Sequence, residues 1–156
     1  MPYEVPYIDL PTQHRNLEPE VLSSVKEILS SGSFILRDEV RQLEENLASY
    51  LGVRHVIGVN SGTDALYLSL HAAGLKPGDE VITVSHTFVA TISVVKHCGA
   101  TPILIDIRDD YNMDVEKLGA AINSKTRAII PVHMNGRMCD MEKIVPLAQK
   151  HGLVSI

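Results

Sequence analysis

The run Asn60-Ser61-Gly62-Thr63-Asp64-Ala65-Leu66 holds residue types that could bind an anion. The residues before it, His55-Val56-Ile57-Gly58-Val59, are apolar and β-branched and predict a buried strand over 55–59. After it, Leu66, Leu70 and Ala73 recur at helical spacing and predict a helix over 63–73. Asn, Ser and Thr cap helices, and Gly lets a ligand approach the backbone. The first N–H groups of a helix lack internal partners, and its dipole places about half a positive charge there. A phosphate could therefore sit against Gly62. Taken alone, the stretch also reads as an ordinary capped strand-to-helix connection. It matches neither G-x-G-x-x-G nor G-x-x-x-x-G-K-[ST], and the carboxylate of Asp64 suits the helix dipole better than it suits an anion.

Two more loops follow predicted strands and should converge on the same edge: Ser85-His86-Thr87-Phe88 and the stretch from His133 to Arg137. Phe88 could stack on a flat ligand, for about 1 kcal/mol beyond burial, or could be the first core residue of its helix; the sequence leaves both open. His86 and His133 titrate near neutrality and could move protons, although a structural hydrogen bond is the simpler expectation for each. Asp106 is expected to cap or to pair with a cation, and Asp109-Asp110 to form a solvated turn. Cys98 and Cys139 are far apart in sequence, and His97-Cys98 has no second ligand pair, so no metal site is expected.

The elements that must position these loops alternate. Residues 1–13, with Pro2, Pro6 and Pro11, are expected to be extended. Helices are predicted from Leu17 to Leu29, stopped by Gly32, and from about Asp38 to Leu51, stopped by Gly52. After 55–59 and 63–73 come strand 80–84, helix 88–97, strand 101–105, helix 114–122, strand 127–132, helix 140–150 and a last strand from Leu153. That alternation predicts right-handed βαβ units and a largely parallel sheet covered on both faces. Two regions follow: an arm with two helices over 1–54, and an α/β domain over 55–156.

Composition excludes several classes. The 156 residues are 45% hydrophobic and 21% charged, as in an ordinary globular domain, and the net charge of −5 argues against nucleic acid or an acidic membrane as partner. No apolar run approaches the roughly 20 residues of a membrane helix. The N-terminus lacks the pattern of a signal peptide. With two unlinked cysteines, a cytoplasmic location is expected.

Across nearly the whole chain, motifs occur in an order that resembles the DegT/DnrJ/EryC1/StrS family of sugar aminotransferases. They are Gly32-Ser33-Phe34-Ile35-Leu36, Glu39-Val40, Leu43-Glu44, Tyr50-Leu51-Gly52, Asn60 through Leu66, and Lys76-Pro77-Gly78-Asp79-Glu80-Val81-Ile82. Thr87-Phe88-Val89-Ala90-Thr91, Pro131-Val132-His133, Gly136 and Cys139-Asp140-Met141 follow. The resemblance implies a fold-type I, aspartate aminotransferase-like large domain with a mostly parallel, mixed sheet. It implies pyridoxal 5′-phosphate (PLP) as cofactor, with Gly62, Thr63 and Asp64 at its phosphate and Phe88 on its ring. It also implies a nucleotide-linked keto sugar as acceptor, glutamate as amino donor, and a homodimer. Arg37 and Asp38 depart from the Gly-Pro that the family has there.

In the family, an Asp pairs with the pyridine nitrogen and a Lys forms the Schiff base. The resemblance places both beyond Ile156. The lysines present, Lys26, Lys76, Lys96, Lys117, Lys125, Lys143 and Lys150, match neither motif. The expectation is an N-terminal part of the enzyme, inactive alone, with no catalytic residue of its own. A sugar dehydratase of the same family, and a non-catalytic α/β fragment that binds a phosphorylated ligand, remain as alternatives.

Overall fold

A computed structural model describes residues 5, 7–32, 34–35 and 38–156. Ser33, Leu36 and Arg37, which carry part of the predicted connector and the departure from the family pattern, lie outside the described residues. So do residues 1–4 and 6 of the arm. The chain divides into two units, Met1–Gly58 and Val59–Ile156.

The first unit holds α1 (Leu10–Arg15), α2 (Glu18–Ser31) and α3 (Asp38–Leu51). The helix α1 corrects the expectation of an extended segment to residue 13. Pro11 sits in its first turn, where a missing N–H costs nothing, and the Asp9 carboxylate accepts from the Thr12 N–H at 3.1 Å. Gly32 ends α2 in the left-handed conformation at φ 66°, its N–H reaching the Ile28 carbonyl. None of these three helices buries a residue. Residues 55–59 pair with no strand among the described residues, which corrects the predicted strand there. Ile57 is 78% exposed, and the Gly58 N–H donates not to a ladder but to the Glu44 carboxylate at 2.7 Å. A β-branched run supplies the capacity to pair; the partner comes from elsewhere in the fold.

In the second unit α4 (Gly62–Ala72) comes first, followed by β1 (Glu80–Val84), α5 (Val89–His97), β2 (Thr101–Ile105), α6 (Val115–Ala121) and β3 (Thr126–Ile129). A short 3₁₀ turn (Met134–Gly136), α7 (Met141–Lys150) and β4 (Val154–Ser155) complete it. The strands form one sheet in the order β2-β1-β3-β4, and every pairing is parallel, with Val81 opposite Pro102 and Ala128, and Ala128 opposite Val154. The ladder of β3 ends at Ile129, short of the predicted residue 132, though the Ile130 N–H still donates to the Ile82 carbonyl at 2.9 Å.

Side chains alternate across the sheet as the pleat requires. Val81, Ala128 and Ile130 face one side with Leu70 of α4 and Val94 and Val95 of α5. Ile82, Val84 and Ile129 face the other with Leu118 of α6 and Ile144 and Ala148 of α7. Both faces are covered, which is why β1 reads as an unbroken apolar run. Thr83, fully buried, donates its hydroxyl to the Ile130 carbonyl at 3.0 Å. Between α5 and β2, Gly99 adopts φ 74°, and a Cβ there would meet Pro77 Cγ at 3.1 Å, so the turn needs Gly on two counts. Among the described residues, no helix is long and apolar enough to cross a membrane.

This order creates a crevice. The connection leaving β1 runs through α5 on one face, and the connection leaving the adjacent β3 runs through α7 on the other. Beyond the carboxyl ends of these two strands the loops part, and ligands of open α/β sheets bind at such a switch point.

Candidate functional site

The turn before α4 is built by Ser61. Its backbone is extended (φ −161°, ψ 164°), its carbonyl accepts from the Ala65 N–H at 2.9 Å, and its hydroxyl accepts from the Asp64 N–H at 3.1 Å. The cap therefore satisfies Asp64 and Ala65. The N–H groups of Gly62 and Thr63, at the first two helical positions, have no carbonyl a turn earlier to bond within the helix. A Cβ on Gly62 would meet nothing within 4 Å. Asp64 is half-buried in the first turn, where a carboxylate favours the helix dipole. The turn offers two N–H groups at a positive helix end with open space over Gly62, and these suit a phosphate.

Phe88 precedes α5 with extended backbone (φ −67°, ψ 140°), and its carbonyl accepts from the Thr91 N–H at 3.0 Å. The ring is 74% exposed, so it is not a core residue and its face is open to a flat ligand. The Thr87 and Thr91 hydroxyls lie 2.9 Å apart and fasten the loop to the helix. The helices α4 and α5 pack on each other over the same sheet face. Gly62, Thr63 and Asp64 begin one of them and Phe88 begins the other.

The remaining candidates separate by role. The Nδ1 of His133 accepts from the Cys139 N–H at 3.1 Å, a structural bond that leaves only Nε2 facing outward. His86 is exposed, and its ring lies 5.8 Å from that of Tyr111, tilted by 35°. Asp106 takes the Ile107 N–H at 2.9 Å and the Lys117 ammonium at 3.2 Å, and these two partners hold its carboxyl below the ordinary value. Asp110 accepts from the Asn112 N–H at 3.1 Å within a turn. Burial raises the thiols of both Cys98 and Cys139 above the ordinary value, so neither is an activated nucleophile. Among the described residues, no group of three or more His, Cys, Asp or Glu gathers as for a metal ion.

Asn112 escaped the reading of the sequence. It is 3% exposed, donates Nδ2–H to the Met138 carbonyl at 3.2 Å, and accepts at Oδ1 from the Met134 N–H at 3.3 Å and the Cys139 thiol at 3.6 Å. It joins the loop after β2 to the loop after β3. In the sequence it looks like any turn asparagine.

The profile of the DegT/DnrJ/EryC1/StrS aminotransferase family matches residues 15–156. The chain belongs to this family. A UDP-N-acetyl-3-dehydro-α-D-glucosamine 3-aminotransferase of Acidithiobacillus ferrooxidans is 46% identical over 150 residues, which are 96% of this chain and 41% of that protein. Among solved structures, S. venezuelae DesV in complex with a ketimine intermediate superposes with a TM-score of 0.93 at 39% identity, over 97% of this chain and 41% of that one. Bacillus subtilis NtdA with bound cofactor PMP gives a TM-score of 0.91 at 37% identity, over 97% of this chain and 35% of that one. The α/β fold is thus that of the DegT-family aminotransferases, whose cofactor is PLP or its amine form, PMP. The chain spans about two fifths of the length of the relatives it matches.

Proposed function

We propose that this chain forms the phosphate-binding and ring-stacking side of a PLP site in an aminotransferase acting on a nucleotide-linked keto sugar. The N–H groups of Gly62 and Thr63 hold the cofactor phosphate, with the Thr63 hydroxyl as a further donor. Asp64 sits at the helix start, and Phe88 covers one face of the pyridine ring. When bound, PLP supplies the electron sink that lets an amino group pass from donor to acceptor. The chain's own part is to fix that cofactor and to exclude water from one face of its ring. The amino donor is glutamate, and the enzyme works as a cytoplasmic homodimer.

The observation that carries this reading is the first turn of α4, where Ser61 caps Asp64 and leaves two N–H groups beneath an open Gly62. Titration with PLP and with sulfate, followed by amide chemical shifts, tests it. Shifts at residues 61–65 with both ligands, and at 87–89 with PLP alone, are expected; a response elsewhere with these residues silent refutes it.

None of the seven lysines is proposed to hold the cofactor covalently. Lys117 pairs with Asp106 and Lys143 with Glu116, each at 3.2 Å. Such a lysine needs a lowered pKa, whereas their carboxylate partners raise both. Borohydride reduction after PLP addition, read by mass spectrometry, should give no stoichiometric single-site adduct. One such adduct would overturn the assignment.

A further inference from the structure

Beside the crevice, Asp110, Tyr111, Met134, Asn135 and Arg137 line a cavity of about 280 Å³. Ligand clefts run to about 300–1,000 Å³, so this one suits a single ring rather than a whole nucleotide sugar. Its walls come from the loops after β2 and β3, which Asn112 ties together. Tyr111 and Asn135, at φ 68° and 53°, are the two non-glycine residues with positive φ among the described residues, and both face this cavity. The Tyr111 ring is 57% exposed, and the His86 ring leans against it from the loop that carries Phe88. Among the described residues, the Arg137 guanidinium makes no ion pair, although Arg41, Lys117, Arg127 and Lys143 all do.

We infer that this cavity is a hexose subsite, which reads the sugar ring of the nucleotide-linked substrate. The inference rests on the proposed function for the nature of that substrate. The side-chain set supplies the recognition chemistry. Sugar hydroxyls both donate and accept, and here a carboxylate accepts, an amide does both, and a planar guanidinium donates through a fixed fork. An exposed tyrosine adds an apolar face with a polar tip for the C–H side of the ring. A free oxyanion fits less well, because Asp110 would oppose it; one of the Asp110 oxygens is already engaged by the Asn112 N–H. The pairing of acceptor and donors suits a neutral polyol.

The test is a chemical-shift titration of the 156-residue chain with UDP-glucose and, separately, with UDP. UDP-glucose should move the amides of residues 110, 111 and 135–137, and UDP should leave them still. Asn135→Gly removes the amide side chain at a position whose φ suits glycine, so folding is preserved. It and Arg137→Gln should each weaken UDP-glucose about tenfold and leave PLP-induced shifts at 61–65 unchanged. Equal shifts with UDP, no shifts with either ligand, or unchanged affinity in both variants would overturn the subsite. Loss of the PLP response at 61–65 in the unaltered chain would instead count against the proposed cofactor site, so the two failures are separable.

Discussion

The hydroxyl of Ser61 accepts the N–H of Asp64 at 3.1 Å, and this bond decides which donors of α4 face a ligand. It consumes the third N–H and fixes the turn. The first two are left pointing outward, under a residue with no side chain.

Gly62 can therefore be filled without harm to the fold. A Cβ meets nothing within 4 Å, and the backbone is not in the left-handed region. Gly62→Val should change unfolding free energy by no more than about 0.5 kcal/mol while abolishing sulfate and PLP shifts at 61–65. Denaturant melts and the titration check both halves. Retained binding would move the anion site elsewhere.

Phe88→Ala should separate ring from phosphate. The side chain is 74% exposed, so stability should fall by no more than about 0.5 kcal/mol. PLP binding should weaken by about 1 kcal/mol, roughly fivefold, from lost stacking. Sulfate affinity should not move. Equal weakening of both ligands would show that Phe88 shapes the turn rather than the ring site.

Asp106 predicts a specific limb of the acid denaturation profile. The Ile107 N–H and then Lys117 hold its carboxyl below the ordinary 3.8. A carboxyl lowered on folding contributes stability above its unfolded value and loses it as pH falls through its folded one. Stability should thus decline from about pH 4 downward, and Asp106→Asn should flatten that part of the curve, leaving the profile between pH 6 and 8 parallel to the parent. An unchanged acid limb would show that the pair is fully screened.

The first unit predicts association. Val21, Leu29, Leu43 and Leu51 are 55, 63, 56 and 60% exposed on helices that bury no residue, and apolar surface of this extent favours contact between copies. Sedimentation should show weight-average mass rising with concentration, and Leu43→Glu should lower that rise. A monomer across the whole range would count against the proposed homodimer.

How far the sequence could be read depends on where each signal resides. The strand Glu80–Val84 and the cap at Asp114, whose carboxylate takes the Glu116 N–H at 3.1 Å, are local and were legible. The helix at Leu10–Arg15 was hidden by Pro11, because proline suits a first turn as well as an extended arm. The run 55–59 carries strand-forming residues, but pairing is a relation between segments, and its own sequence cannot supply the partner. For Phe88, local pattern served core and ligand equally, and only its exposure separates them. Tyr111, Asn135 and Arg137 lie 24 and 26 positions apart from the first to the others, and tertiary structure alone brings them to one cavity.

The bond network of Asn112 divides labour between residues that hold and residues that face outward. Asn112, His133 and Cys139 fix the frame of the two loops, while Tyr111, Asn135 and Arg137 stand exposed upon it. Substitutions at the exposed positions leave the frame's bonds intact and so carry little penalty in folding. Substrate preference can then drift by single steps among descendants of such a chain, each step stable enough to survive, while the frame itself stays under selection.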